Sequence, residues 1–154
     1  MKERHEVLLD ALSALNLAAR RLESTHGGLE ALFPLCEADF ASVDESVRER
    51  FDAYAIRYAR CQDLLFPAMR ALGRAQMEPK AERSFLDLFA LMQKQGIVGD
   101  IEEWERQRGL RNAVSHEYPN PSDIVDILNA IREATPEILG YADLLNGRAR
   151  QLDK

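Results

Sequence analysis

Residues 47–72 read VRERFDAYAIRYARCQDLLFPAMRAL. Val47, Phe51, Tyr54, Tyr58, Cys61, Leu65, Ala68 and Leu72 recur in this stretch at alternating intervals of four and three. A helix of 3.6 residues per turn places all eight on one face, so the segment reads as one long helix with a continuous apolar stripe. Stripes with this spacing pack against neighbouring helices running nearly antiparallel. Ser42 or Asp44 supplies the N-cap, Gly73 lies close to the end, and Pro67 predicts a kink because it removes one hydrogen bond.

The same periodicity extends in both directions. Leu8, Leu12, Leu15, Ala19 and Leu22 define a first helix over about 3–25, with Gly27-Gly28 as its stop and His26 as a C-terminal capping residue. Leu29 to Cys36 reads as a short extra helix before a linker. A third main segment follows Pro79, with Phe85, Leu88, Phe89 and Met92 on one side and Gly96 and Gly99 closing it. Asp100 caps a further helix, with Glu103 in the capping-box position. That helix is expected to stop near Glu117, because the residue before Pro119 is pushed out of helical geometry. Asn120-Pro121 opens the last helix, whose stripe is Ile124, Leu128, Ile131, Thr135, Ile138, Ala142 and Leu145, with Pro136 as a possible bend. No strand alternation or internal repeat interrupts the pattern. The expectation is a single all-α domain over 1–154: an antiparallel up-and-down bundle of four main helices with short extra ones.

Composition narrows the function classes. A formal charge of -6 argues against a protein that coats nucleic acid through a broad basic surface, yet it leaves room for a local site that handles one phosphate. Cys36 and Cys61 lack metal-ligand spacing and read as reduced thiols. The charged start Lys2-Glu3-Arg4-His5-Glu6 is followed by no continuous apolar run, so neither a signal peptide nor a membrane span is expected, and the protein reads as cytoplasmic. His5, His26 and His116 are too scattered to suggest a metal site, no cofactor is implied, and there is no glycine-rich phosphate loop or nucleophile elbow.

The chemistry concentrates at the end of the helix that Asp100 opens. Ile101 and Trp104 share a face, and continuing that face leads to Arg108, Arg111 and Ser115, with Asn112 beside them and His116 one step further round. Leu110 and Val114 lie on another side, and Trp104 reads as core. Arginine offers a planar fork of donors matched to phosphate oxygens, and histidine moves protons. Together they form a minimal kit for phosphodiester transfer.

The string Arg111-Asn112-Ala113-Val114-Ser115-His116-Glu117-Tyr118 resembles the motif of the HEPN family, and in its Arg-x4-His-x-Tyr form that of the HepT-like toxins. Every fixed position matches, and the family places the motif late in an all-α bundle. The resemblance implies a metal-independent endoribonuclease that cuts tRNA or mRNA, formed by a homodimer whose two motifs face one cleft. It implies roles for His116 at the 2′-hydroxyl or the leaving oxygen, for Arg111 at the scissile phosphate, and for Asn112 in orienting the site. Arg108 and Ser115 are candidate RNA contacts. It further implies a partner, a small nucleotidyltransferase of the MNT type, that silences the toxin by attaching AMP to Tyr118. A related branch with the same motif implies a second reading, the non-catalytic substrate-binding subunit of a nucleotidyltransferase. A third reading is a plain dimeric bundle in which the motif is coincidence.

Overall fold

The computed structural model describes residues 2–116 and 120–152. Among the described residues six α-helices follow one another: α1 Lys2–Leu29, α2 Glu37–Ser42, α3 Glu45–Ala75, α4 Phe85–Lys94, α5 Ile101–Val114 and α6 Pro121–Gln151. Single 3-10 turns at Glu30–Leu32 and Pro79–Glu82 lie between α1 and α2 and between α3 and α4. No strand occurs among the described residues, and none of the described helices is long and apolar enough to cross a membrane.

Side-chain pairings give the directions. His26 meets Tyr54 and Arg4 meets Met77, so α1 and α3 run antiparallel. Trp104 lies beside Phe66, whereas Val114 and His116 lie beside Phe51 and Asp52, so α5 runs against α3. Asn16 pairs with Asn146 near one end of α6, while Arg132 pairs with Glu30 nearer the other, so α6 runs against α1. The result is an up-down-up-down bundle of α1, α3, α5 and α6, with α3 and α6 packed across its diagonal through Tyr54 and Thr135.

The stripes read from the sequence form most of the core; Val47, Ala19 and Ile124 are half-buried at its edge, and on α1 it is Ala18, not Ala19, that is buried. Phe51, Tyr54, Tyr58, Cys61, Leu65, Ala68 and Leu72 of α3 are buried, as are Leu8, Leu12, Leu15 and Leu22 of α1 and Leu128, Ile131, Ile138, Ala142 and Leu145 of α6. Several helix starts have a local cause. Asp44, Ser84 and Asp100 accept from the backbone N–H three residues on, at 3.0, 3.2 and 2.8 Å. At the end of α4 the chain turns in a Schellman motif: Gly96 takes φ +74°, its N–H reaches Gln93 O, and that of Ile97 reaches Met92 O. Helices α3 and α6 continue unbroken through Pro67 and Pro136.

Four boundaries differ from the sequence expectation. Helix α1 runs through Gly27-Gly28 to the fully buried Leu29. The two glycines lower helix propensity by about 1 kcal/mol each, which the roughly 1.5–3 kcal/mol returned by burying a leucine offsets. Gly28 also lacks the Cβ that would collide with the Arg50 guanidinium. His26 is therefore not a cap; its Nδ1 sits 2.7 Å from the Tyr54 hydroxyl and its Nε2 3.6 Å from Glu30. The segment Leu29–Cys36 is not one helix, because Phe33 precedes Pro34 and is held extended at ψ 148°; helix resumes only at Glu37, capped by Cys36 Sγ. After Pro79 there is one 3-10 turn, whose buried Ala81 packs on the bare backbone of Gly73, before α4 starts. Helix α5 ends at Val114, short of Glu117.

Candidate functional site

Among the apolar residues of helix α5 only Trp104 is buried; Ile101, Leu110 and Val114 pack half-buried at the edge of the core. Its buried residues are Trp104 and Gln107. Trp104 stacks on Phe85 with ring centroids 6.0 Å apart and tilts against Phe89 at 5.9 Å. Gln107 is fully buried; its carbonyl accepts from the Tyr58 hydroxyl at 3.0 Å, and its Nε2 donates to the Tyr141 hydroxyl at 3.0 Å. Arg106 forms a two-pronged pair with Glu137 of α6. Glu103 lies in the same network, and its carboxyl is pushed up by burial and by the nearby Glu137 charge. Polar bonds thus supply much of the docking that an apolar stripe supplies elsewhere in the bundle.

With α5 so fixed, the face expected to be polar turns toward α3. Arg108 donates through Nη1 to Gln62 Oε1 at 2.6 Å and to Asp63 Oδ1 at 2.8 Å. Arg111 donates through Nε to the same Asp63 oxygen at 2.7 Å and through Nη1 to Ser115 Oγ at 3.0 Å. Burial opposes the charge of Asp63, but the bonds from Arg111 and Arg108 outweigh it and hold its pKa below the ordinary carboxylate value. The bond to Asp63 in turn raises the pKa of Arg111. An open depression of about 510 Å³ lies here, lined by Arg60, Asp63, Leu64, Arg111, Val114 and Ser115.

His116 stands elsewhere. The N–H groups of Ser115 and His116 bond to carbonyls three residues back, at Asn112 and Ala113, which tightens the last turn. His116 is past the helix end and exposed, so its place on an extended helical wheel does not hold. It lines a second depression, of about 210 Å³, with Phe51, Asp52, Ile124 and Leu128. Val114 lines both depressions and forms the ridge between them. The structure therefore brings Arg108, Arg111 and Ser115 together, leaves Asn112 exposed beside them, and sets His116 across the ridge. Tyr118 lies outside the described residues. Among the described residues no three His, Cys, Asp or Glu side chains are grouped as a metal ion would need.

Gln62, Asp63 and Arg60 escaped the sequence reading. Gln62 and Asp63 fall between the stripe residues Cys61 and Leu65, and nothing in their spacing announces partners more than forty positions away.

The lowered pKa of Asp63 gives a signed expectation. A depressed carboxyl contributes stability above its unfolded pKa, and that contribution is lost as pH falls through the folded value. Asp63 is expected to titrate below the ordinary aspartate range, followed by NMR of its side-chain carboxyl carbon. A midpoint at or above the ordinary value would mean that the pair with Arg108 and Arg111 does not form in solution.

No protein-family model, no curated protein and no solved structure matches the chain. The functional reading therefore rests on the residues themselves.

Proposed function

We propose that this chain is a nuclease of the HEPN class that cleaves RNA without a metal ion. More narrowly, it is a HepT-like toxin that acts in the cytoplasm as a homodimer. The observation that carries the reading is Arg111. It is held by Asp63 and Ser115 on the wall of an open depression, at a helix end that His116 follows closely. In this reaction the RNA 2′-oxygen attacks phosphorus as it loses its proton. The bond from phosphorus to the 5′-oxygen breaks, and that oxygen leaves as a hydroxyl. Products carry a 2′,3′-cyclic phosphate and a 5′-hydroxyl. His116 moves a proton, Arg111 holds the phosphate oxygens, and Asn112 orients the site.

Two features favour a two-copy site. Arg111 and His116 of one copy are divided by Val114, so a substrate reaching both kinds of group is better served by facing motifs. The depression with Arg111 is also rimmed by Ile56, which is 58% exposed, and by Ala59 and Leu64. Charge agrees with a small footprint. Arg108, Arg111 and Asp63 sum to one positive charge, and Arg60 adds a second at the rim.

Attachment of AMP to Tyr118 by an MNT-type nucleotidyltransferase is the proposed means of silencing the toxin. The alternative, a non-catalytic substrate-binding subunit of such an enzyme, draws support from Arg111 and Arg108 already sharing a counterion.

Incubation of the purified protein with single-stranded RNA in EDTA tests the reading. Cleavage leaving cyclic phosphate ends is expected. Binding is expected to weaken with salt at a slope of about -0.7 per phosphate contacted, with one or two phosphates held by each copy. Cleavage that stops in EDTA and returns with magnesium would overturn the mechanism. No cleavage, with tight binding to a nucleotidyltransferase, would favour the alternative.

A further inference from the structure

We propose that Asp63 is a positioning residue for anion binding: it draws Arg108 and Arg111 onto one oxygen and presets Arg111 for a phosphate. This deepens the function proposed above and rests on it only for the identity of the phosphate as part of RNA.

The geometry carries the inference in three steps. First, two guanidinium groups repel each other, and here both donate to Asp63 Oδ1, at 2.8 Å from Arg108 and 2.7 Å from Arg111. One carboxylate on α3 thus cancels the repulsion that would otherwise separate the two cations. Second, the two arginines are held differently. Arg108 has its Nη1 shared between Asp63 and Gln62, and Gln62 is fully buried on the core side of α3. That anchors Arg108 as a strut. Arg111 is gripped by Nε and, through Nη1, by Ser115. A guanidinium has five donors in a rigid plane, so two grips fix the plane and leave the rest of the fork for a ligand. Third, Arg111 and Asp63 both line the open depression, with Arg60 on the same wall. The cluster stays net positive after Asp63 is counted, which suits a single phosphate.

A long flexible cation loses side-chain freedom when it binds an anion. Fixing Arg111 beforehand removes that cost from the binding step, and placement of the fork governs how well it meets phosphate oxygens. The opposite role, a carboxylate that merely competes with phosphate for Arg111, makes the opposite forecast when Asp63 is removed.

Inorganic phosphate is the probe, and the Nε–H signals of arginine in 15N-edited NMR are the readout, so RNA cleavage is not needed. In the native protein the Arg111 Nε–H is expected to be sharp and slow to exchange, and to shift as phosphate is added. In Asp63→Ala it should broaden, and phosphate affinity should fall on the order of tenfold. Asp63→Asn keeps an acceptor oxygen but not the charge, and is expected to fall between the two. Circular dichroism and melting establish that each variant is folded. If Asp63→Ala or Asp63→Asn binds phosphate as well as or better than the native chain, the positioning role is wrong and Asp63 is a competitor or a bystander. If the native chain cuts no RNA yet phosphate binding still depends on Asp63, the nuclease reading fails and the positioning role stands.

Discussion

His116→Ala and Arg111→Ala are each expected to lower RNA cleavage by about a hundredfold to ten-thousandfold, the usual loss when a proton-transfer or charge-stabilising group is removed. The fold is expected to survive both changes. His116 is exposed beyond the end of α5, so its removal opens no cavity. Arg111 is a harder case, since it is three-quarters covered and paired with Asp63. Removing one partner of a covered pair is costly when the other is left alone, but Asp63 keeps its bond from Arg108 at 2.8 Å. Melting should therefore shift little, while cleavage products, followed on a gel with a labelled RNA, should vanish. Equal activity in native and His116→Ala proteins would remove His116 from the reaction and with it the nuclease reading.

The two residues illustrate which part of the site the sequence carries. Arg108, Arg111 and Ser115 fall at helical spacing after Ile101 and Trp104, and the structure keeps them on one face. Their partners are another matter. Gln62 and Asp63 contribute to α3 as two polar residues beside a stripe, and only the packing of α3 against α5 turns them toward arginine. His116 was misplaced for a different reason. The wheel assumes an α-helix to its end, and the last turn here tightens through bonds to Asn112 and Ala113.

The bundle was far more legible, because burial follows periodicity wherever the stripe is strong. Every residue of the α3 stripe from Phe51 to Leu72 is buried as its spacing requires. The errors gather where local signals compete with packing. Gly27-Gly28 is a strong stop signal, yet Leu29 is fully buried and carries α1 onward. Pro34 acted as a breaker where apolar residues suggested continued helix. Helix α5 is the exception, since its apolar residues Ile101, Leu110 and Val114 are only half-buried and its clearest sequence signal is the Asp100 cap.

That sparse docking makes Trp104 the residue on which α5 most depends. Trp104 is 4% exposed, and its ring packs on Phe85 and Phe89, the aromatic face of α4. The other buried side chain of α5, Gln107, contributes hydrogen bonds in place of apolar area, and its Oε1 has no partner among the described residues. Trp104→Ala is therefore expected to cost roughly 3–5 kcal/mol, the range for deleting a large aromatic side chain from a core. For a chain of this length that lowers Tm by about ten degrees. The damage should also reach the site. Trp104 and Arg108 line the same depression next to Asp63 and Phe66, so loosening the ring frees the strut that steadies Arg111. Trp104→Phe retains a ring against Phe85 and should lose much less. Thermal melting by circular dichroism measures the first effect, and the Arg111 Nε–H signal the second. A Trp104→Ala protein that melts like the native chain would mean that the polar network of Gln107, Tyr58, Tyr141 and Glu137 holds α5 by itself.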